Sequence, residues 1–490
     1  MRLGALANSA GFALSDGGET HVTGFAIDNR KVAPGTVFGA FQGTRFNGED
    51  FIPAAVEAGA VAVVARPEAG VSGAIHIANE EPRRAFAKLA AAFFTPMPEH
   101  IVAVTGTNGK TSCVEMTRQI WRMCGERAAS IGTLGVTTPD ESVSTGLTTP
   151  DIVTFLSNMS GLAREGVSHV AFEASSHGLD QFRNEGVCVS AAAFTNFSRD
   201  HLDYHKSMEA YFEAKMRLFD EVLEPGAAAV IWLDEQDDQW TTKAIARATE
   251  RGLKVLTTGP RGSFIKLLSR IPTQLGQMLE IEHEGTIRTI KLPLIGAYQA
   301  ANALTSCALT IATGASPNQA FDAASRLQPV RGRLERAVIT AQGAPVYVDY
   351  AHTPDALEAA IEALKPHVEG RLITVFGAGG DRDQGKRAEM GAAVAKGSEL
   401  VIVTDDNPRG EDPAAIRAAV LVGAPGAREV ADRRDAIAEA IRQADAKDIV
   451  LVAGKGHEQG QEIGSGDNMR ILPFDDVQVA RECAAAEAQA

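Results

Sequence analysis

Thr105-Gly106-Thr107-Asn108-Gly109-Lys110-Thr111-Ser112 gathers two glycines, a lysine and several hydroxyls into one short stretch. Backbone N–H groups of such a loop, set at the positive end of a helix, can cradle a polyphosphate. Lys110 then reaches the β- and γ-phosphates, and the Thr111 hydroxyl suits Mg2+. The strict pattern G-x-x-x-x-G-K-[ST] is not met, because Val104 stands where its first glycine belongs. Two further polar clusters follow apolar runs. Glu173-Ala174-Ser175-Ser176-His177-Gly178 follows Val170-Ala171-Phe172, and Asn196-Phe197-Ser198-Arg199-Asp200-His201-Leu202-Asp203 follows the run 191–194. Each predicts a polar side chain at the end of a buried strand, where a metal-nucleotide complex on a parallel sheet lies. Glu173 and His201 are therefore candidate ligands for a second metal. A phosphate loop alone leaves kinase, motor, switch and ligase open.

The elements that must hold these residues are partly legible. Ile101-Val102-Ala103-Val104 is a continuous apolar run of the kind a buried parallel strand needs. After the loop, Cys113, Met116, Ile120 and Cys124 keep helical spacing until Gly125 stops the helix. Before it, β-rich runs at 24–28, 36–41, 60–65 and 74–77 alternate with Ala-rich stretches and end in Thr95-Pro96-Met97-Pro98. A second boundary is expected near Gln328-Pro329, beyond which strand-like runs recur at 346–348, 372–376, 400–404 and 449–453. Between them Thr353-Pro354-Asp355 reads as N-cap, first-turn proline and first-turn acid, with Leu357, Ile361 and Leu364 facing a core. The expected fold class is α/β in three domains: 1–97, 98–329 with a phosphate loop on a mostly parallel sheet, and 330–490 as a doubly wound, Rossmann-like sheet. The Ala-rich C-terminal tail is the one low-complexity stretch.

Length and composition agree. The 490 residues exceed one ordinary domain several-fold, and 45% hydrophobic with 22% charged residues excludes disorder. With 47 basic against 62 acidic residues the net charge is −15 and no Lys/Arg-rich run occurs, so nucleic acid is not an expected partner. No apolar stretch approaches the roughly 18–20 residues that span a bilayer. Met1-Arg2-Leu3 opens a helix with Leu3, Leu6 and Ala10 on one face rather than an export signal, since Asn8, Ser9 and Gly11 interrupt its apolar run. Five scattered cysteines without a CxxC pair fit a reducing compartment, read as cytoplasm, and no zinc site.

Together these motifs resemble the Mur ligase family, ATP-dependent amide-forming enzymes of bacterial cell-wall synthesis. Gly106 to Thr111 is similar to the family's ATP loop, Glu173 to His177 to its E-x-S-S-H stretch, and Asn196 to Asp203 to its N-x-x-x-D-H-L-D segment. Tyr211-Phe212-Glu213-Ala214-Lys215 resembles the segment whose lysine is carbamylated, which would give Lys215 a carboxylate-like head for Mg2+. The resemblance implies ATP binding by Gly106, Thr107, Asn108, Gly109, Lys110, Thr111 and Ser112, with Asn302 at adenine, Arg333 at the nucleotide and Asp349 at the ribose. It implies two Mg2+ ions, held among Thr111, Glu173, His201 and carbamylated Lys215, with Lys110, Glu173, His201 and Lys215 as the catalytic set. Gln299 replaces a usual Asn, and Trp232-Leu233-Asp234-Glu235 departs from the family's N-x-D-D form.

For the remaining substrates the resemblance implies a uridine-nucleotide domain in 1–97. Ile27, Asn29, Thr44, Arg45 and Phe46 lie in its two loops, with Asn47 where Asp is usual. Thr148, Thr149, Ser175, Gln181 and Arg183 would hold the muramoyl-dipeptide, and Leu147 stands where a polar Asn can occur. Asp406-Asn407-Pro408-Arg409 resembles the family's meso-diaminopimelate recognition motif. Arg409 and Arg382 would take a carboxylate and Glu458, near Gly454, an ammonium; lysine lacks that carboxylate. The implied reaction adds meso-diaminopimelate to UDP-MurNAc-L-Ala-D-Glu through an acyl phosphate, on a monomer with small-molecule partners only. A lysine-adding member, a folylpolyglutamate synthetase, a nucleotide-driven switch or transport ATPase, and a non-catalytic binding protein stay open as alternatives.

Overall fold

The computed structural model describes residues 1–14, 16–43, 46–138, 140–143, 148–273 and 276–488, so Thr44, Arg45 and Leu147 lie outside the described residues. The first 97 residues form a four-stranded parallel sheet, Gly24–Ala26, Thr36–Gly39, Ala60–Ala65 and Ile75–Ala78, in chain order. The first strand ends two residues earlier than its apolar run predicts. Asp28 turns back to accept the Arg30 N–H and starts the 3-10 turn Asn29–Lys31. Asn47 does the same for Glu49 ahead of Gly48–Phe51, so the departure from Asp keeps the cap. The helix Leu3–Ser9 buries Leu3 and Leu6, while Ala10 falls just past its end. Helix Pro82–Phe93 packs against that helix and against Ile152–Arg164, so one apolar core runs unbroken from Leu3 to Leu253.

Among the described residues the central sheet has eleven strands. Its middle is parallel, in the order Lys254–Gly259, Leu223–Trp232, Val189–Phe194, His100–Thr105, His169–Glu173 and Ala128–Gly132. The three central ones, Val189–Phe194, His100–Thr105 and His169–Glu173, are almost wholly buried on both faces, which is why they read as apolar runs. His100–Thr105 lies between strands that come later in the chain, so the loop at its carboxyl end opens into a crevice between diverging connections. The edges are antiparallel: Gly135–Thr137 and Ser142–Val143 on one side, and Ile265–Thr273, Gly276–His283 and Thr286–Leu292 on the other. This second meander has one polar face and was not legible as a unit in the sequence.

The C-terminal sheet follows the order Glu335–Ile339, Pro345–Asp349, Ile449–Ala453, Leu372–Phe376, Leu400–Val403 and Arg428–Glu429. It is parallel except for its first strand, which pairs antiparallel with Pro345–Asp349. Separate apolar cores cover its two faces. Thr353 caps Pro354–Leu364 as the sequence predicts, accepting from the Ala356 N–H, and Leu357, Ile361 and Leu364 are buried. The Ala-rich tail is corrected from low complexity to a helix, Asp476–Glu487, that buries Val477, Val479, Ala480, Cys483 and Ala484 on the sheet. Among the described residues no helix is long and apolar enough to cross a membrane.

Candidate active site

The loop from Gly106 to Gly109 leads into the helix Lys110–Met123, which buries Thr111, Ser112, Cys113, Met116 and Ile120. Gly109 caps the helix in a left-handed conformation, φ +87°, and a Cβ there would press on the Asn302 carboxamide. The loop is tied down by the neighbouring strand end. Asn108 donates its N–H to Asn196 Oδ1 at 2.9 Å, and Thr195 Oγ1 donates to the Asn108 carbonyl at 2.6 Å. Thr107 Oγ1 accepts from the Ser198 N–H at 3.0 Å and from the Tyr211 hydroxyl at 3.3 Å. Lys110 Nζ folds back onto the Gly106 and Thr107 carbonyls at 3.0 and 2.7 Å, and burial lowers its pKa.

Glu173, the last residue of its strand, is buried beside that helix. Thr111 donates to its Oε2 at 3.0 Å and the Thr133 N–H to its Oε1 at 2.7 Å. Burial nevertheless pushes the carboxyl above its usual range, against the pull of Lys110 and Arg333. Thr133, which no motif singled out, is thus part of the site.

Lys215 is fully buried in the helix Met208–Arg217, with Nζ donating to the Gly106 carbonyl at 2.7 Å. Burial and then the Lys110 charge hold its ammonium well below the ordinary lysine range, which favours the neutral, nucleophilic amine. His201 caps Leu202–His205 at φ +52°, with its ring 4.9 Å from that of His177 and 5.9 Å from Tyr211. Among the described residues no group of three or more His, Cys, Asp or Glu side chains is arranged to hold a metal ion. The expected set has only two residues of those types, and Thr111 with a modified Lys215 supplies oxygen for the rest. A buried carboxylate sharing a hydrogen bond with a loop hydroxyl fits a hard cation such as Mg2+.

The third unit reaches this loop directly. Arg333 NH2 donates to Thr111 Oγ1 at 3.1 Å, its guanidinium lies 4.4 Å from the Tyr350 ring centroid, and its carbonyl accepts from Gln299 Nε2 at 3.1 Å. Asp349 is buried at the end of its strand. Its oxygens accept the Leu334 and Ala351 N–H groups at 2.6 and 2.8 Å, and burial raises its pKa to about 6. Asn302 lines a cavity of about 610 Å3 together with Tyr298, Asn196, Trp232, Asp234 and Glu235, so the second departure from the family pattern borders this space while the buried Gln299 does not.

Five of the residues expected at the muramoyl-dipeptide form one network. Thr149 Oγ1 lies 2.9 Å from Ser175 Oγ, Arg183 donates to the Thr149 carbonyl at 2.9 Å and to Gln181 Oε1 at 2.7 Å, and Thr148 Oγ1 accepts from Thr133 at 3.1 Å. Ile27, Asn29 and Phe46 lie apart, in the first unit, where Ile27 and Phe46 are exposed. Arg83, which no motif singled out, lies 5.0 Å from the Phe41 ring centroid, and burial lowers its pKa.

Loops at the carboxyl ends of three C-terminal strands bring the last set together. Asn407 Nδ2 donates to Glu458 Oε2 at 2.8 Å, and the buried Lys455 Nζ donates to Asn407 Oδ1 at 2.8 Å and to Glu458 Oε2 at 3.2 Å. A Cβ at Gly454 would crowd the buried Asp406 carboxylate. Pro408 is buried, Arg382 is exposed, and the Arg382 and Arg409 side chains both border Gly379. Burial raises the Glu458 carboxyl above its ordinary range, with Lys455 pulling the other way. Arg199 reaches Asp383 at 3.5 Å, which joins the His201 loop to the Arg382 loop.

The chain matches three family models: the Mur ligase family catalytic domain over residues 21–107, the Mur ligase middle domain over 104–310, and the Mur ligase glutamate ligase domain over 332–456. It is 58% identical over 98% of its length to the UDP-N-acetylmuramoyl-L-alanyl-D-glutamate–2,6-diaminopimelate ligase of Zymomonas mobilis, of which it covers 98%. It is 49% identical over 93% of its length to the protein of the same name from Caulobacter vibrioides, of which it covers 94%. A solved structure with that name superposes with a TM-score of 0.72 at 33% identity, covering all of both chains. With its phosphate loop, its strand-end Glu173 and all three of its units matched in order, the chain belongs to the Mur ligase family.

Proposed function

We propose that this chain is an ATP-dependent ligase that joins meso-diaminopimelate to the D-glutamyl γ-carboxyl of UDP-MurNAc-L-Ala-D-Glu in peptidoglycan precursor synthesis. One observation carries the reading. The phosphate-loop helix bonds both a buried strand-end carboxylate and Arg333 of the third unit, and Arg199 reaches Asp383 of that unit, on a chain 58% identical to a ligase of that name. In this reading residues 1–97 hold the uridine nucleotide, 98–329 ATP and 330–490 the amino acid, on a cytoplasmic monomer.

Joining a carboxylate to an amine in water is uphill, so the carboxylate must first acquire a better leaving group. Its oxygen attacks the γ-phosphorus, ADP departs, and an acyl phosphate forms. The amine of diaminopimelate then attacks the acyl carbon and phosphate leaves with the former carboxylate oxygen. Backbone N–H groups of 106–109 and the Lys110 ammonium stabilise charge on the transferred group, with Arg333 beside them. Two Mg2+ ions, held by Thr111 with Glu173 and by His201 with carbamylated Lys215, would offset more of that charge when bound. Asn302 and Asp349 serve the nucleoside; Ile27, Asn29, Thr44, Arg45 and Phe46 serve the uridine nucleotide. Thr148, Thr149, Ser175, Gln181 and Arg183 orient the dipeptide, whose carboxylates suit the Arg183 guanidinium. Arg382, Asp406, Asn407, Pro408, Arg409, Gly454 and Glu458 form the diaminopimelate pocket.

The test is phosphate release with Mg-ATP and UDP-MurNAc-L-Ala-D-Glu, comparing meso-diaminopimelate, L-lysine and no amino acid, with mass analysis of the product. Turnover and tripeptide are expected with diaminopimelate alone. Preference for lysine overturns the specificity, and turnover indifferent to the acceptor overturns the ligase.

A further inference from the structure

Arg409 sits in a left-handed backbone conformation, φ +50°, a strained setting for a side chain that has to present a fork accurately. What holds it there comes from another part of the chain, the hairpin strand Gly460–Ile463. The Arg409 N–H donates to the Glu462 carbonyl at 3.1 Å, and the Gly464 N–H donates back to the Arg409 carbonyl at 2.7 Å. Glu462 also donates its own N–H to Asn407 Oδ1 at 2.9 Å. Its carboxylate then accepts from Arg409 Nε at 2.6 Å, while Arg409 NH1 donates to the Gly380 carbonyl at 2.9 Å.

The guanidinium has five N–H donors in a rigid plane. Glu462 occupies the single one on Nε, and Gly380 one of the two on NH1. Those remaining include one on NH1 and both on NH2, the end-on fork that receives a carboxylate in two parallel hydrogen bonds. We propose that Glu462 is a positioning residue for amino-acid selection: it clamps Arg409 by Nε so that the end-on edge is presented to the distal carboxylate of diaminopimelate. The proposal rests on the function argued above and goes beyond it by assigning a residue outside the recognition motif. The pair is partly exposed, 18% for Arg409 and 36% for Glu462, so it contributes little to folding and its effect belongs to binding.

Steady-state kinetics of the full-length enzyme test it, with thermal unfolding as a check on folding. Glu462→Ala should raise the KM for diaminopimelate about tenfold or more and leave kcat and the KM for ATP within about twofold. Any turnover with lysine, which has no distal carboxylate, should be unaffected. Glu462→Gln, which keeps the acceptor oxygen, should restore most of the loss. Arg409→Ala combined with Glu462→Ala should be no worse than Arg409→Ala alone, since the clamp then has nothing to hold. If the alanine variant does not fold, Glu462→Lys, which repels the guanidinium, must show the same split. An unchanged KM for diaminopimelate, equal rises for both substrates, or additive losses in the double variant overturn the assignment. Wild-type enzyme without diaminopimelate-dependent turnover would instead overturn the function on which it rests.

Discussion

Lys215 and His457 illustrate what burial does to single ionisable groups here. Lys215 has no exposed surface to justify a charge, and its Nζ sits on a carbonyl of the phosphate loop, beside Lys110. A neutral amine there can add CO2, and the carbamate would put an anion where two lysines now crowd each other. Lys215→Ala should lower kcat by about a hundredfold or more, the scale of losing one well-placed electrostatic group, with partial recovery in added short carboxylates. Full activity in the variant would remove the carbamate from the reaction. His457 follows the opposite logic, since its function is to remain neutral. Its Nδ1 has no hydrogen-bond partner among the described residues, its ring packs 4.9 Å from Tyr350, and burial, then Arg333, lowers its pKa to about 3. The folded state therefore binds fewer protons than the unfolded chain between that value and the ordinary histidine range near 6.5. The stability it contributes is fully present above about pH 6.5 and is lost as the pH falls toward 3, about 2 kcal/mol of it by pH 5. Urea unfolding at pH 7 and pH 5 should show that loss in the wild type and a smaller one in His457→Gln. Equal losses would mean that His457 is hydrated after all.

At the scale of elements, the helix Asp476–Glu487 is held by a buried ion pair as well as by its apolar face. Arg433, with no exposed side-chain surface, donates from Nε and NH2 to the two Asp476 oxygens at 2.8 and 2.7 Å and from NH2 to the Ala453 carbonyl at 2.9 Å. Asp476→Ala leaves that guanidinium uncompensated and should destabilise the C-terminal unit by about 3–5 kcal/mol in denaturant unfolding. A loss below about 1 kcal/mol would show that water or a neighbour takes over. The same pair explains why this helix was illegible: its fixing contact spans 43 residues and leaves no periodic trace. By contrast, Ala60–Ala65, Leu372–Phe376 and Ile449–Ala453 have the limits their apolar runs predict, because both faces of a parallel sheet are covered and every position but Thr374 is apolar. The phosphate loop and the strand-end Glu173 were legible for the same reason, as polar residues interrupting a buried run. Thr133 on Glu173 and Glu462 on Arg409 were not, since each meets its partner across 40 or 53 residues. Asp349 entered through the family resemblance alone, and the N–H it accepts from Leu334, at φ +49°, leaves no mark in the residue spacing.

Over the whole molecule, charge and closure act together. A chain of net charge −15 has to gather anionic substrates against its overall sign, and the buried Lys110 with Arg333 beside the same Thr111 and Glu173 puts local positive charge at the phosphate loop. The polar links from the C-terminal unit to the crevice at that loop are few. Arg199 to Asp383 is long and exposed, so salt screens it, while Arg333 bonds Thr111 through its side chain and Gln299 through its carbonyl, and Ile295 and Tyr298 pack on the C-terminal core. In the proposed function, further closure draws free energy from ligands that touch both units, and a nucleotide held by both Thr111 and Arg333 would be the first of them. Closure also keeps water from an acyl phosphate, which amine and water compete to cleave. Arg333→Ala should therefore do more than raise the KM for ATP by about tenfold. At saturating ATP it should let water in, so that phosphate released per tripeptide made rises above the ratio of about one expected of a tightly closed enzyme. Phosphate and tripeptide measured in the same reaction give that ratio. If it stays near one while the KM for ATP rises, Arg333 only binds the nucleotide, and the seal over the intermediate lies in the contacts of the Arg382 loop with the His201 loop.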